Sequence, residues 1–176
     1  MLKSMTRLRR ASSGMAAVEF ALILPALLFL VFGSIEVTNL LICKADVSRT
    51  ASTAADLVAQ SSQVTDGNMT NIFSALNALV YPFPTANSKI IITSIIDDGH
   101  GGGKVAWSDG YHATPHAPGT PMPVPAGLIT SGGSVIYSEV TYPYQSTSTY
   151  MLKSTITMQN NFYSHPRRVA QVSRVH

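Results

Sequence analysis

The chain has one cysteine in 176 residues, Cys43, so neither an intrachain disulfide nor a cysteine-built zinc finger can form. Charge is scarce too: Asp, Glu, Lys and Arg make up 12% of the residues, about half the usual share. Twelve basic against nine acidic residues leave a net charge of +3, which argues against a dedicated basic face, and no nucleic-acid partner is expected. Catalytic signatures are missing. No G-x-S-x-G elbow occurs, so the run Gly99-His100-Gly101-Gly102-Gly103 is not an esterase oxyanion element. It also lacks the Lys-Ser/Thr end of a phosphate loop and precedes a strand, not a helix. His112 and His116 are four apart, but Pro115 between them denies them one helical face; with His100 they read as loop histidines, not metal ligands. Asp97-Asp98-Gly99 and Asp109-Gly110 read as turns before they read as calcium sites. No cofactor and no metal are implied, and the expectation is that the chain is not an enzyme. Disorder is excluded by an apolar content of 45%, enough to support a core.

What is present is one apolar block near the N-terminus. Residues 1–14 (MLKSMTRLRRASSG) carry Lys3, Arg7, Arg9 and Arg10 and no acid. Met15 to Ile35 then runs for 21 residues with one charge, Glu19. As a helix this stretch rises roughly 31 Å, about the thickness of a bilayer core. A buried soluble helix is the alternative, and its length counts against it. Four basic residues precede the span; Lys44 and Arg49 follow it, mixed with Glu36 and Asp46. The positive-inside rule therefore places the N-terminus in the cytoplasm and the rest outside. A cleaved secretory signal would show a shorter apolar region and a small-x-small site, and nothing convincing of that kind follows Ile35. Pro25 removes one backbone bond and is expected to kink the helix.

Glu19 is the odd residue. A carboxylate in a membrane helix costs a few kcal/mol at the bilayer centre and less near an end. Snorkelling to the headgroups is one reading of it. Its setting gives another: Gly14-Met15-Ala16-Ala17-Val18-Glu19-Phe20 puts the carboxylate five residues after a glycine that ends a basic leader, with an aromatic next. This string resembles the cleavage site of type IV pilin-like precursors, and more closely the G/xxxxE-[YF] form of tight-adherence (Tad, Flp) pilins. The continuation AVEFALILPALLFLVFGSIEV is similar to TadE-like pseudopilins. The resemblance implies that a prepilin peptidase cuts between Gly14 and Met15, and that Glu19 then pairs with the new amine of a neighbouring subunit. An ammonium beside the carboxylate offsets its cost in lipid and fixes axial register. Four of the 12 basic residues leave with the leader and no acid does, so 8 basic and 9 acidic residues remain.

Beyond the span, Val37, Leu40, Leu41, Val47, Ala51, Ala54, Ala55 and Val58 recur at three- and four-residue intervals, which predicts an amphipathic extension ending near Gln60. Its small-residue stripe reads as core packing and, in an assembly, as a helix–helix surface. Cys43 reads as a small buried thiol, or as a partner for another chain. A short second helix is expected over Met69–Val80, capped by Asn68 or Thr70. Strands are expected at Lys89–Asp97, Lys104–Ser108, Ser134–Tyr144 and Met151–Met158, the first two forming a hairpin. Residues 109–127, with five prolines, read as a long irregular loop, and the tail from His165 as mobile. The VAW strand, Ile136–Tyr144 and Pro166-Arg167 also look TadE-like, each weakly.

The expected fold is α+β and pilin-like: a long N-terminal helix, transmembrane then amphipathic, packed on a small antiparallel sheet. Its parts are a cleaved leader 1–14, a transmembrane helix 15–36, an extension 37–62, an extracytoplasmic head 63–164 and a basic flexible tail 165–176. The resemblance implies a minor pseudopilin in the bacterial inner membrane, with its head in the periplasm, within the pilus or at its base. Gly14 and Met15 would form the cleavage site, and Glu19 and Phe20 the assembly site. Implied partners are the prepilin peptidase, other pilins and pseudopilins, the inner-membrane assembly platform and the lipid bilayer. Two readings of other classes compete: a signal-anchored extracytoplasmic enzyme, and a surface adhesin binding through loop 109–127.

Overall fold

The computed structural model describes residues 12–146 and 154–175. Residues 1–11, the beginning of the strand expected at Met151–Met158, and His176 lie outside them. Helix α1 (Ser12–Ala59) runs unbroken through Pro25 for 48 residues, about 72 Å. A two-residue strand β1 (Gln63–Val64) follows, then helix α2 (Asp66–Leu79) and a single 3-10 turn at Thr85–Asn87. The remaining strands are β2 (Lys89–Asp97), β3 (Gly103–Tyr111), β4 (Pro121–Met122), β5 (Ser134–Tyr144), β6 (Ile156–Ser164) and β7 (Ser173–Arg174). Five of them form an antiparallel sheet in the order β4-β3-β2-β5-β6, while β1 and β7 pair in parallel. The α+β architecture is the one the sequence implies, with the long helix laid across the sheet.

One face of the sheet takes the upper half of α1. Val47, Ala51, Ala54, Ala55, Val58 and Ala59 are buried against Ile90, Ile92, Trp107, Ile136, Val140, Tyr142 and Tyr144. Alanines at the contact let the helix backbone approach closely, and Ser138 Oγ donates to the Ala51 carbonyl at 2.6 Å. The small-residue stripe is therefore taken up by the chain's own sheet and is not open to a neighbouring helix. Cys43 is fully buried in the same core, the first of its two expected readings. Desolvation and, after it, the nearby Asp46 carboxylate push the Cys43 thiol up to about 11.

The cap of α2 is Thr65, not Asn68 or Thr70. Thr65 Oγ1 accepts from the Asn68 amide at 3.2 Å, and Asn68 Oδ1 accepts from the Thr65 amide at 3.1 Å, a reciprocal box. An asparagine completing the box in place of Glu or Gln shifted the expected start by several residues.

The other face of the sheet is covered by the Pro-rich stretch. Ile95, Val135 and Tyr137 point outward, and Met122, Val124, Leu128 and Ile129 fold over them. The backbone of this stretch is tied to β3 through Gly119 N–H to the Val105 carbonyl, 2.8 Å, and Val105 N–H to the Thr120 carbonyl, 3.0 Å. Farther along the sheet the His116 ring lies 2.6 Å from the Glu139 carboxylate. Residues 109–111 belong to β3 and Pro121–Met122 form β4, and the cover comes from Met122 and Val124 of the expected loop with Leu128 and Ile129 just past it. Two glycines make this possible. A Cβ on Gly103 would stand 2.6 Å from Ile95 Cγ2 and 2.7 Å from Val124 Cγ2; one on Gly110 would stand 2.2 Å from the Ala113 carbonyl oxygen.

The tail departs from expectation. Val172 is buried, and the Trp107 indole donates to its carbonyl at 2.8 Å. Ser134 Oγ donates to the Ala170 carbonyl, Arg167 pairs with Asp56, and β7 lies beside β1. The stretch 165–175 is bound to the head because its apolar Val172 and its Arg167 and Arg174 find partners that are remote in sequence.

Candidate functional site

The expected cleavage and assembly residues lie on the first turns of α1. From Gly14 to Ile35 every side chain except Gly33 is exposed. Sixteen large apolar side chains between Met15 and Ile42 stand in the open, far more than a water-facing helix tolerates. Each would gain roughly 1.5–3 kcal/mol on leaving water, so an apolar medium around this half of α1 stabilises it strongly. Among the described residues this one N-terminal helix is long and apolar enough to cross a bilayer, which suggests a single-pass membrane anchor.

Glu19 sits on that surface, exposed, with no partner among the described residues. Met15 lies four residues earlier, one turn away on the same helical stripe. Phe20 is 59% exposed and begins an uninterrupted run of uncharged residues. Gly14 is exposed as well, and a Cβ placed on it meets nothing within 4 Å. The structure thus brings Gly14, Met15, Glu19 and Phe20 together on an accessible helix end, away from the head.

A second carboxylate was not anticipated. Glu36, counted from sequence among the charges flanking the span, is only 4% exposed. Tyr144 Oη donates to Glu36 Oε1 at 2.9 Å. Burial first, and then this bond and the charge of Glu36, push the Tyr144 phenol up to about 12. The Phe83 ring meets Tyr144 edge-on at 5.8 Å and Tyr142 at 6.2 Å, and Tyr142 Oη donates to the Pro84 carbonyl. These rings and Asn39 line a cleft of about 440 Å³ at the lower end of the head. The only advance signal was Glu36 itself, a charge at the close of an apolar run, which reads equally well as a solvated boundary.

The polar turn residues are engaged locally. Asp97 accepts from the Gly99 and Gly132 amides, and Asp98 from the His100 and Gly102 amides, which holds both carboxyls below the usual range. His112 stacks on Tyr111 at 3.9 Å, apart from His116. Among the described residues no group of three or more His, Cys, Asp or Glu side chains is placed to hold a metal ion.

No curated protein and no solved structure matches the chain. A family model does match, over residues 14–56, from the glycine of the expected cleavage site to Asp56 near the end of the buried stripe. The chain is TadE-like over that long helix, exposed anchor and buried extension together.

Proposed function

We propose that this chain is a minor pseudopilin of a Tad/Flp pilus assembly and secretion system. Its TadE-like segment ties it to a Tad pilus; the finer role is our reading. In it a prepilin peptidase removes residues 1–14 by cutting after Gly14, and the chain stays in the inner membrane with its head in the periplasm. The leader 1–14, span 15–36, extension 37–62 and head from 63 onward then have separate tasks, except that the stretch 165–175 belongs to the head. The mature protein would help to initiate or anchor the pilus through other pilins, pseudopilins and the assembly platform.

The observation that carries this reading is Glu19: exposed on an apolar helix, without a partner in its own chain among the described residues, one turn from Met15. A carboxylate so placed in lipid calls for a cation. The amine created on a neighbouring subunit by the cut supplies one and would set helix register. Replacing Glu19 by Ala should leave processing intact while piliation, scored by electron microscopy of cells carrying only the variant, falls to background. Normal piliation would remove Glu19 from assembly.

A further inference from the structure

The exposed surface of α1 extends past the apolar run that composition marks out. Between Glu19 and Lys44 no charged side chain is exposed, because the one carboxylate in the interval, Glu36, is buried beneath Tyr144. Val37, Leu41 and Ile42 continue the exposed apolar surface on the side of the helix away from the sheet. Counting from Phe20, twenty residues rise about 30 Å, one hydrocarbon core, and end at Asn39.

Asn39 is also where the head meets the helix. It lines the lower cleft together with Pro82, Phe83, Gln145 and Ser146, so the turn after α2 and the end of β5 lie level with it. Tyr81, next in the chain to Pro82 of this cleft, is 81% exposed, an aromatic ring with a polar tip and little protein around it. Tyr at the boundary between hydrocarbon and water places its ring among the headgroups and its hydroxyl toward water.

The geometry points to a docking surface for the lipid headgroup layer: the base of the head, with the exposed Tyr81, rests on the outer leaflet where α1 leaves the membrane. This rests on the reading of α1 as a bilayer span and adds a second, peripheral contact to it. It also accounts for Glu36. A carboxylate at that depth would face the edge of the hydrocarbon, and the head covers it and gives it a hydrogen-bond donor. The occupant is the bilayer itself because the exposed apolar surface of α1 continues without a break to this level.

The test uses the full chain in phosphatidylcholine vesicles, with Trp107, the sole and buried tryptophan, as an internal reference for the folded head. Tyr81→Trp adds a probe at the base and Leu28→Trp adds one in mid-span. Phosphatidylcholine bearing a nitroxide on its headgroup should quench the Tyr81→Trp emission strongly and leave Trp107 of the parent chain bright. Phosphatidylcholine bearing a nitroxide in mid-chain should quench Leu28→Trp. A Tyr81→Trp signal no more quenched than the parent's, with Leu28→Trp quenched normally, would show the head standing clear of the bilayer and would overturn the proposal alone. Should Leu28→Trp escape mid-chain quenching as well, the span reading fails and the proposal with it.

Discussion

Glu19 and Glu36 bracket the apolar stretch of α1, and they differ in what each chain provides for them. Glu36 receives the Tyr144 hydroxyl from its own head, and Glu19 receives nothing among the described residues. Glu36 is therefore structural, while Glu19 is exposed, as the proposed pairing with another subunit requires. Tyr144→Phe would leave a buried carboxylate short of a donor, and an unmet buried acceptor costs about 1–3 kcal/mol. The thermal midpoint of the detergent-solubilised chain should drop by several degrees, and Glu36→Gln, which keeps the acceptor without the charge, should cost less. Equal midpoints for Tyr144→Phe and the parent would mean that the bond contributes nothing. Cys43 and Tyr144 also set a pH dependence. Both are acids whose folded values are raised, to about 11 and about 12, so folding favours their protonated forms. Their contribution is complete below the ordinary thiol value of 9.0 and is lost as pH climbs from there toward about 11 for Cys43 and about 12 for Tyr144. Unfolding midpoints should be flat below that range and fall within it, less steeply for Cys43→Ala. Native Cys43 should also resist alkylation at neutral pH until the chain is denatured, since it is both buried and held as a thiol.

At the scale of elements, the long helix and the central strands followed from periodicity, because each is shaped by the residues inside it, whereas the strand expected at Met151–Met158 is found at Ile156–Ser164 and the two-residue strands β1, β4 and β7 carry no period of their own. Lys89–Asp97 and Ser134–Tyr144 occupy the stretches that their β-branched and aromatic residues indicate. Contacts remote in sequence were not legible. Nothing in Ser164-His165-Pro166-Arg167 announces that the tail binds back, because what holds it is supplied elsewhere in the chain: Asp56 on α1, the Trp107 indole on β3, and a strand partner in β1. Arg174 shows how much the tail joins together. Its guanidinium donates to Asp109 on β3 at 2.7 Å and pairs with Asp66 at the start of α2, and these bonds, led by Asp109, raise its pKa. The side chain is 9% exposed, so Arg174→Ala would leave Asp109 without its cation and should cost about 3 kcal/mol in chemical denaturation of the solubilised chain. A change under half that size would show the tail to be an accessory. The prolines of the loop were read as irregular structure, which holds except for Pro121, the first residue of β4 paired with Lys104. That the loop covers Ile95, Val135 and Tyr137 was hidden because β2 and β5 carry apolar residues on both faces, a pattern that asks for a second cover without naming it.

The whole molecule divides the work of one helix in two. Its lower half is apolar and uncovered, its upper half is small-faced and enclosed by the sheet, and the change comes at Glu36, where head and helix first meet. Cleavage would act at the far end from that junction, on a Gly14 whose surroundings hold nothing that a larger side chain would disturb. Gly14→Arg should therefore block processing without disturbing the fold. The most direct measurement is the intact mass of the chain extracted from the membranes of cells with a working Tad system. A mass beginning at Met15, with the Gly14→Arg variant retaining its leader, is the predicted result. A parent chain that still begins at Met1, or a Gly14→Arg chain trimmed like the parent, would contradict the account.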